Sequence, residues 1–206
     1  ILIAGKGHET TQTYGKKIIN VSDKEIVKNI NKKKLKFNKK NYNMIFNAEI
    51  IKKIVKKNKL RFEGVSINSK KTKKGNLFIA IKGKNHDGHT FVKEALKNKA
   101  NYCVVQKRIK KLDKKKLIKH PGTINFLNKL AILKRSNINL KVVAITGSSG
   151  KTTLKTLLGK ILSEYGKTYF SKKSYNNHIG VPLSLSNLEH NHKYGVFEIG
   201  MSRAGE

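Results

Sequence analysis

Val142-Val143-Ala144-Ile145-Thr146-Gly147-Ser148-Ser149-Gly150-Lys151-Thr152-Thr153 is the stretch on which the reading of this chain turns. The apolar run Val142–Ile145 has the length and β-branched content of a buried parallel strand. It breaks into small residues and glycine, then into Lys-Thr-Thr. Leu154, Leu157, Leu158, Ile161 and Leu162 follow at i, i+3, i+4, i+7 and i+8, and this spacing predicts one apolar helix face. Strand, glycine loop, Lys-Thr and helix in that order make a phosphate cradle. The backbone N–H groups of Gly147, Ser148, Ser149, Gly150 and Thr153 and the helix N-terminus face an anion. Lys151 reaches the terminal phosphates, and the Thr152 hydroxyl can ligate Mg²⁺. The stretch therefore predicts a nucleoside triphosphate as ligand. It departs from the strict pattern G-x-x-x-x-G-K-(S/T), whose first glycine would fall at Ile145; the nearest is Gly147. A Gly-Ser turn that happens to precede a lysine is the plainer reading, and the ordered strand, loop and amphipathic helix argue against it.

A chain of 206 residues allows one large domain or two small ones. Its net charge of +34 raises nucleic acid or an anionic membrane as partners. Of the 46 basic residues, however, 42 are lysine and only Arg61, Arg108, Arg135 and Arg203 are arginine. Arginine is the side chain suited to bidentate base and phosphate recognition. The lysines are spread along the chain, with runs at 32–40 (KKKLKFNKK) and 107–119 (KRIKKLDKKKLIK), and asparagine and isoleucine are also heavily used. A general compositional taste explains this, so no specific nucleic-acid partner is expected, only adhesion to polyanions at low salt. Cys103, flanked by Val104 and Val105, is the single cysteine, which rules out a disulfide framework and predicts a buried strand residue. No apolar run approaches the roughly 18 residues of a membrane helix, and Ile1–Ala4 is too short for a signal peptide. The expectation is a cytoplasmic protein with no membrane insertion; the oligomeric state is not legible.

Alternating strand and helix patterns predict an α/β chain. Residues 1–31 begin with a strand-like run and a polar loop, with a helix starting near Ser22 and Glu25 in capping-box spacing. Residues 32–44 read as a linker. Residues 45–122 hold a small α/β domain: a helix from Asn47, strands at 60–67, 77–81 and 102–105, a helix through Phe91–Leu96, and a basic stretch, 107–122, that separates it from the next domain. Residues 123–206 hold a helix at 124–135 with Phe126, Leu127, Leu130 and Ala131 on one side, then the phosphate-loop strand, an incomplete parallel sheet with flanking helices, and strands near 168–170 and at 195–199.

Three further blocks carry chemistry. Ser174-Tyr175-Asn176-Asn177-His178-Ile179-Gly180-Val181-Pro182 is a polar loop closing into a Gly-x-Pro turn. Val196-Phe197-Glu198-Ile199-Gly200-Met201 sets a carboxylate in an apolar strand near its C-terminal end, where open parallel sheets bind ligands. Ser66-Ile67-Asn68-Ser69-Lys70-Lys71 precedes Gly75–Gly83 and Asp87-Gly88-His89. His86 and His89 lack a third metal ligand nearby, and an exposed loop is expected there.

This ordered set resembles the Mur ligases over about residues 60–206. The family's loop has the form TG-x-x-GKTT, which matches the departure noted above. The resemblance implies that Gly147 to Thr153 hold ATP phosphates, with Lys151 on the β/γ oxygens and Thr152 on Mg²⁺. It implies a catalytic role for Lys151, Asn177 and Glu198, with Glu198 holding or positioning a second Mg²⁺ and Asn176 and Asn177 near the γ-phosphate. It assigns Ser69, Lys70, Asp87 and His89 to the pocket for a UDP-muramoyl substrate. The family usually has Asp and Arg where this chain has Asn68 and Lys70, which weakens that assignment. The implied reaction is ATP-dependent joining of D-alanyl-D-alanine to UDP-MurNAc-tripeptide through an acyl phosphate. Leu2–Glu9, Tyr14-Gly15 and Val21–Glu25 resemble instead the C-terminal end of the family member acting one step earlier, where Gly5 and Glu9 would hold an incoming amino acid. The chain thus reads as the tail of one ligase joined to the head of the next, and the remaining parts of the second enzyme lie beyond it. On that reading the chain binds ATP weakly and does not ligate. A related P-loop ligase of the folylpolyglutamate type and a basic polyanion-binding protein stand as rival readings.

Overall fold

The structure, a computed structural model, describes residues 60–83, 85–171 and 175–201 and the backbone of three short strands before them, β1 (Leu2–Ala4), β2 (Thr11–Tyr14) and β3 (Lys17–Asn20). The helices predicted near Ser22 and Asn47 lie outside the described residues. The chain divides into two compact units. One comprises Tyr42–Ile138 with Pro182–His190; the other comprises Ile1–Asn41, Asn139–Val181 and Asn191–Glu206.

The first unit is built on four parallel strands, β4 (Val65–Ser66), β5 (Leu77–Ile79), β6 (Tyr102–Val105) and β7 (Leu117–Lys119), lying side by side in chain order. Leu77, Phe78, Ile79, Cys103, Val104 and Val105 are all buried, the unbroken apolar run of strands covered on both faces. Helix α1 (Val92–Lys97) follows a 3₁₀ turn at Gly88–Phe91 and sets Val92 and Ala95 against Phe78, Cys103 and Val105. Burial pushes the Cys103 thiol up to about 12, so it is an inert core residue.

Two expectations change here. The strand foreseen at 60–67 shrinks to Val65–Ser66; Leu60 and Phe62 are buried on irregular backbone, where Glu63 N–H donates to Gly75 O at 3.0 Å. The basic stretch at 107–122 is no separator. Asp113 caps a 3₁₀ turn at Lys114–Lys116, and β7 then pairs with β6, burying Ile118 while Lys119 stays exposed. Lysines on an outermost strand are compatible with pairing because they discourage further strand addition. Helix α2 (Thr123–Ser136) buries Phe126, Leu127, Leu130 and Ala131 as predicted, but it belongs to this unit. The division expected at residue 122 falls after Ile138.

In the second unit β8 (Lys141–Thr146), β9 (Thr168–Phe170) and β10 (Tyr194–Glu198) form a parallel sheet with β1, in the order β1-β8-β10-β9. The backbone of Leu2–Ala4 pairs with Ala144–Thr146, so this piece of the expected tail adds a strand beside β8. Strands β2 and β3 make an antiparallel hairpin.

Helix α3 (Lys151–Tyr165) connects β8 to β9, and it is rotated away from the face that the leucine spacing predicts. Its buried residues are Lys155 and Gly159, whereas Leu157 and Ile161 are 54% and 47% exposed. The close contact at Gly159 accounts for this: a Cβ there would lie 2.4 Å from Cγ of Phe170. Glycine lets the helix approach β9; Leu157 and Ile161 turn outward, while Leu154, Leu158 and Leu162 stay half-buried. Gly159→Ala is expected to destabilise this unit by about 1–3 kcal/mol through overpacking. A thermal melt of the variant reads this, and adding Phe170→Ala should relieve part of the loss; unchanged melting would refute the packing account.

Candidate functional site

Parallel pairing places Glu198 opposite Ile145, so the carboxylate of β10 arrives where β8 gives way to its loop. One further bond, Ile199 N–H to Ile145 O at 2.8 Å, holds the two strand ends together. The loop turns at Gly150, which has φ +73° and precedes the first turn of α3. Open space surrounds its missing Cβ, so glycine is needed there for the dihedral and not for room. Ser148 and Ser149 are exposed, and α3 has no acidic residue in its first turn to occupy the positive end of its dipole. Lys151 Nζ arches back over the loop, donating to Gly147 O at 2.6 Å and Ser148 O at 3.3 Å.

Glu198 is 3% exposed and fully engaged. Its Oε2 accepts from Thr152 Oγ1 at 2.8 Å and from Lys155 Nζ at 3.4 Å, and its Oε1 accepts from Asn176 Nδ2 at 2.8 Å. Burial pushes the carboxyl up, but the Thr152 and Asn176 hydrogen bonds and the Lys155 ammonium together outweigh it and hold it below its ordinary value. Asn176 is itself fixed, since Gly200 N–H donates to its carbonyl at 2.7 Å. Asn177 faces elsewhere. Its Oδ1 accepts from the N–H groups of Ile179 and Gly180 at 3.1 and 2.8 Å, capping helix α4 (Gly180–Ser186). Of the asparagine pair, only Asn176 reaches the carboxylate among these contacts. Thr153 is exposed.

Lys155 went unread in the sequence. It lies four residues after Lys151, one turn further along the helix, and a lysine inside an otherwise leucine-rich face was the available signal. It is 0% exposed, with Nζ also 3.3 Å from Ser171 Oγ.

A hydroxyl and a carboxylate side by side are hard oxygen donors of the kind Mg²⁺ takes alongside phosphate oxygens and water. Thr152 and Glu198 fit that ion in chemistry. Among the described residues no cluster of three His, Cys, Asp or Glu side chains offers an all-protein metal cage.

The residues expected to contact a UDP substrate lie in the first unit. Ser69 Oγ donates to Glu94 Oε2 at 2.6 Å, and Lys70 is exposed after Asn68 Oδ1 accepts its N–H at 3.0 Å. Asp87 Oδ1 accepts the backbone N–H of His89 at 3.0 Å and meets His89 Nδ1 at 2.5 Å. His89 Nε2 accepts the N–H of Gln106 at 2.9 Å, so the ring is the Nδ1–H tautomer with both nitrogens occupied. The exposed loop foreseen for the His86/His89 pair holds for His86 only; His89 is buried. Of these four residues Lys70 alone is freely presented. Gly5 and Glu9 lie outside the described residues.

The N–H and ring of His89 hold the Asp87 carboxyl below its ordinary 3.8. A depressed pKa means that Asp87 stabilises the fold at neutral pH and loses this contribution as pH falls through 3.8 and below. Asp87→Asn is expected to flatten that part of the acid-unfolding curve, read by circular dichroism. A variant that keeps the wild-type acid slope would contradict this.

Residues 61–135 match the catalytic domain of the Mur ligase family, and residues 145–206 match the Mur ligase middle domain. With the phosphate loop and buried glutamate in place, the chain belongs to the Mur ligase family. Its relatives point to one branch of it. UDP-N-acetylmuramoyl-tripeptide–D-alanyl-D-alanine ligase of Rickettsia prowazekii is 37% identical over 149 residues, which are 72% of this chain and 33% of that enzyme. The same ligase of Buchnera aphidicola from Acyrthosiphon pisum is 40% identical over 69% of this chain and 31% of its own length. Among solved structures, UDP-N-acetylmuramoylalanyl-D-glutamyl-2,6-diaminopimelate–D-alanyl-D-alanyl ligase from Acinetobacter baumannii has a TM-score of 0.67 at 30% identity, covering 77% of this chain and 37% of its own. MurF from Thermotoga maritima in complex with ADP has a TM-score of 0.59 at 34% identity, over 69% and 33%. The chain therefore spans about a third of the curated relatives it matches.

Proposed function

We propose that this chain is the nucleotide-binding and UDP-substrate part of an enzyme that joins D-alanyl-D-alanine to UDP-MurNAc-tripeptide at the expense of ATP. The observation that carries this reading is the convergence of Lys151, Thr152, Asn176 and Glu198 at the ends of β8 and β10, on a chain whose relatives bear that name. The tripeptide carboxylate attacks the γ-phosphorus and ADP leaves. The amine of the dipeptide then attacks the acyl phosphate, releasing phosphate and a proton.

The chain's own groups position and neutralise. Loop N–H groups from Gly147 to Thr153 cradle the phosphates, Lys151 leaves its carbonyl partners for the β/γ oxygens, and Asn176 keeps Glu198 aimed at Thr152. Mg²⁺, held by Thr152 and Glu198, would spread the charge of the transferring phosphoryl group. Of Ser69, Lys70, Asp87 and His89, the exposed Lys70 is the group presented to an anionic substrate. Calorimetric titration of the 206-residue chain with ADP, UDP-MurNAc-tripeptide and heparin tests the reading. Saturable ADP binding that survives moderate salt is expected; heparin binding without ADP binding would favour the polyanion reading.

A further inference from the structure

Lys155 is a buried cation beside Glu198 to which the proposed function assigns no role. Its side chain is 0% exposed, and its ammonium lies 3.4 Å from Glu198 Oε2 and 3.3 Å from Ser171 Oγ. Burying an ammonium is costly unless a carboxylate and hydrogen bonds receive it. A methionine or leucine would fill that face of α3 at less cost, so the charge itself calls for an explanation.

Resting on the nucleotide site proposed above, we infer that Lys155 is a built-in counter-cation that makes divalent-metal binding at Thr152 and Glu198 depend on nucleotide phosphate. A buried carboxylate beside a hydroxyl is by itself an inviting place for a small divalent cation. Paired with Lys155 the carboxylate contributes no net charge, and a bare dication gains little by entering. Phosphates arriving on the loop bring the negative charge that completes the site, so metal and nucleotide enter together.

The surrounding elements support this charge balance. From α3 come two cations, Lys151 and Lys155. Among the described residues, β8 brings no charged side chain between Val142 and Thr146, and Ser171, following β9, is neutral. The loop before α4 contributes the neutral Asn176 amide. Glu198 is the only carboxylate among these groups. Lys155 meets the carboxylate of Glu198 and the hydroxyl of Ser171, and it is a positioning residue, acting through Glu198.

Mn²⁺ is the probe, followed by electron paramagnetic resonance on the 206-residue chain with and without a non-hydrolysable ATP analogue. The wild type should bind Mn²⁺ weakly alone and far more tightly with the analogue. Lys155→Met should bind Mn²⁺ alone about tenfold or more tighter, as removal of a nearby positive charge requires. Adding Glu198→Gln should erase that gain, and Lys155→Arg should behave as wild type. Wild type that binds Mn²⁺ alone as tightly as with nucleotide would overturn the inference, as would a folded Lys155→Met chain with no gain. Should Lys155→Met not fold, Lys155→Gln, which removes the charge but keeps a hydrogen-bonding group for Ser171 and Glu198, decides by the same criterion: tighter binding of Mn²⁺ alone supports the inference, and a folded variant with no gain overturns it. Binding of the analogue in EDTA reports separately on the nucleotide site, so failure of that site is distinguishable from failure of the counter-cation.

Discussion

Lys151→Ala should lower nucleotide affinity by about two orders of magnitude while leaving heparin binding nearly unchanged. The ammonium reaches back over the loop, 2.6 Å from Gly147 O, and on the proposed function it exchanges this carbonyl for phosphate oxygens when nucleotide binds. Losing a charge-assisted contact of this kind costs about 1.5–3 kcal/mol per hydrogen bond. Polyanion adhesion depends instead on a net charge of +34, of which one lysine is a small share. Titrating the variant with a fluorescent ATP analogue and with heparin checks both halves. Equal losses for the two ligands would mean that the loop is not a nucleotide site.

The second large effect concerns stability. Glu198→Ala removes the carboxylate that faces Lys155, and truncating one member of a buried ion pair costs about 3–5 kcal/mol. For a unit of this size that corresponds to a fall in Tm on the order of 15 °C. Combining it with Lys155→Met should restore much of the loss, because no buried charge is then stranded. Thermal unfolding of the two single variants and the double variant forms the cycle. A Glu198→Ala chain that melts with the wild type would show that the pair is not coupled in the folded state.

The neighbourhood of Lys151 shows where reading from sequence succeeds. The strand, glycine loop and helix start that carry it were legible because they are contiguous, and short-range geometry places them. Cys103 was legible for a similar reason, as an apolar stretch of strand length has few alternatives to burial. The face of α2 carrying Phe126, Leu127, Leu130 and Ala131 followed from spacing alone and is the face found buried.

Lys155, the turn of α3 and the duty of Asn176 were not legible. Each depends on a partner further along the chain. Glu198 lies 43 residues after Lys155 and 22 after Asn176, and parallel pairing of β8 with β10 brings them together. The buried face of α3 is shifted from the one the leucine pattern predicted, because a hydrophobic count cannot register that Gly159 admits Phe170 or that Glu198 waits for a lysine. Strand β7 was missed within its lysines for a related reason: one inward residue, Ile118, is enough when β6 already supplies the pairing edge.

What the amino-acid order determined alone is the alternating α/β class, the strand–glycine loop–helix run with its lysine, and the family blocks around Asn176 and Glu198. All of these rest on neighbours within a few residues. Tertiary structure decided which face of α3 is buried, which asparagine serves the carboxylate, that α2 and β7 belong to the first unit, and that Glu198 has an internal cation. The physical reason is the same in each case: burial and charge pairing are settled between elements, and their free energy appears only once those elements are in contact.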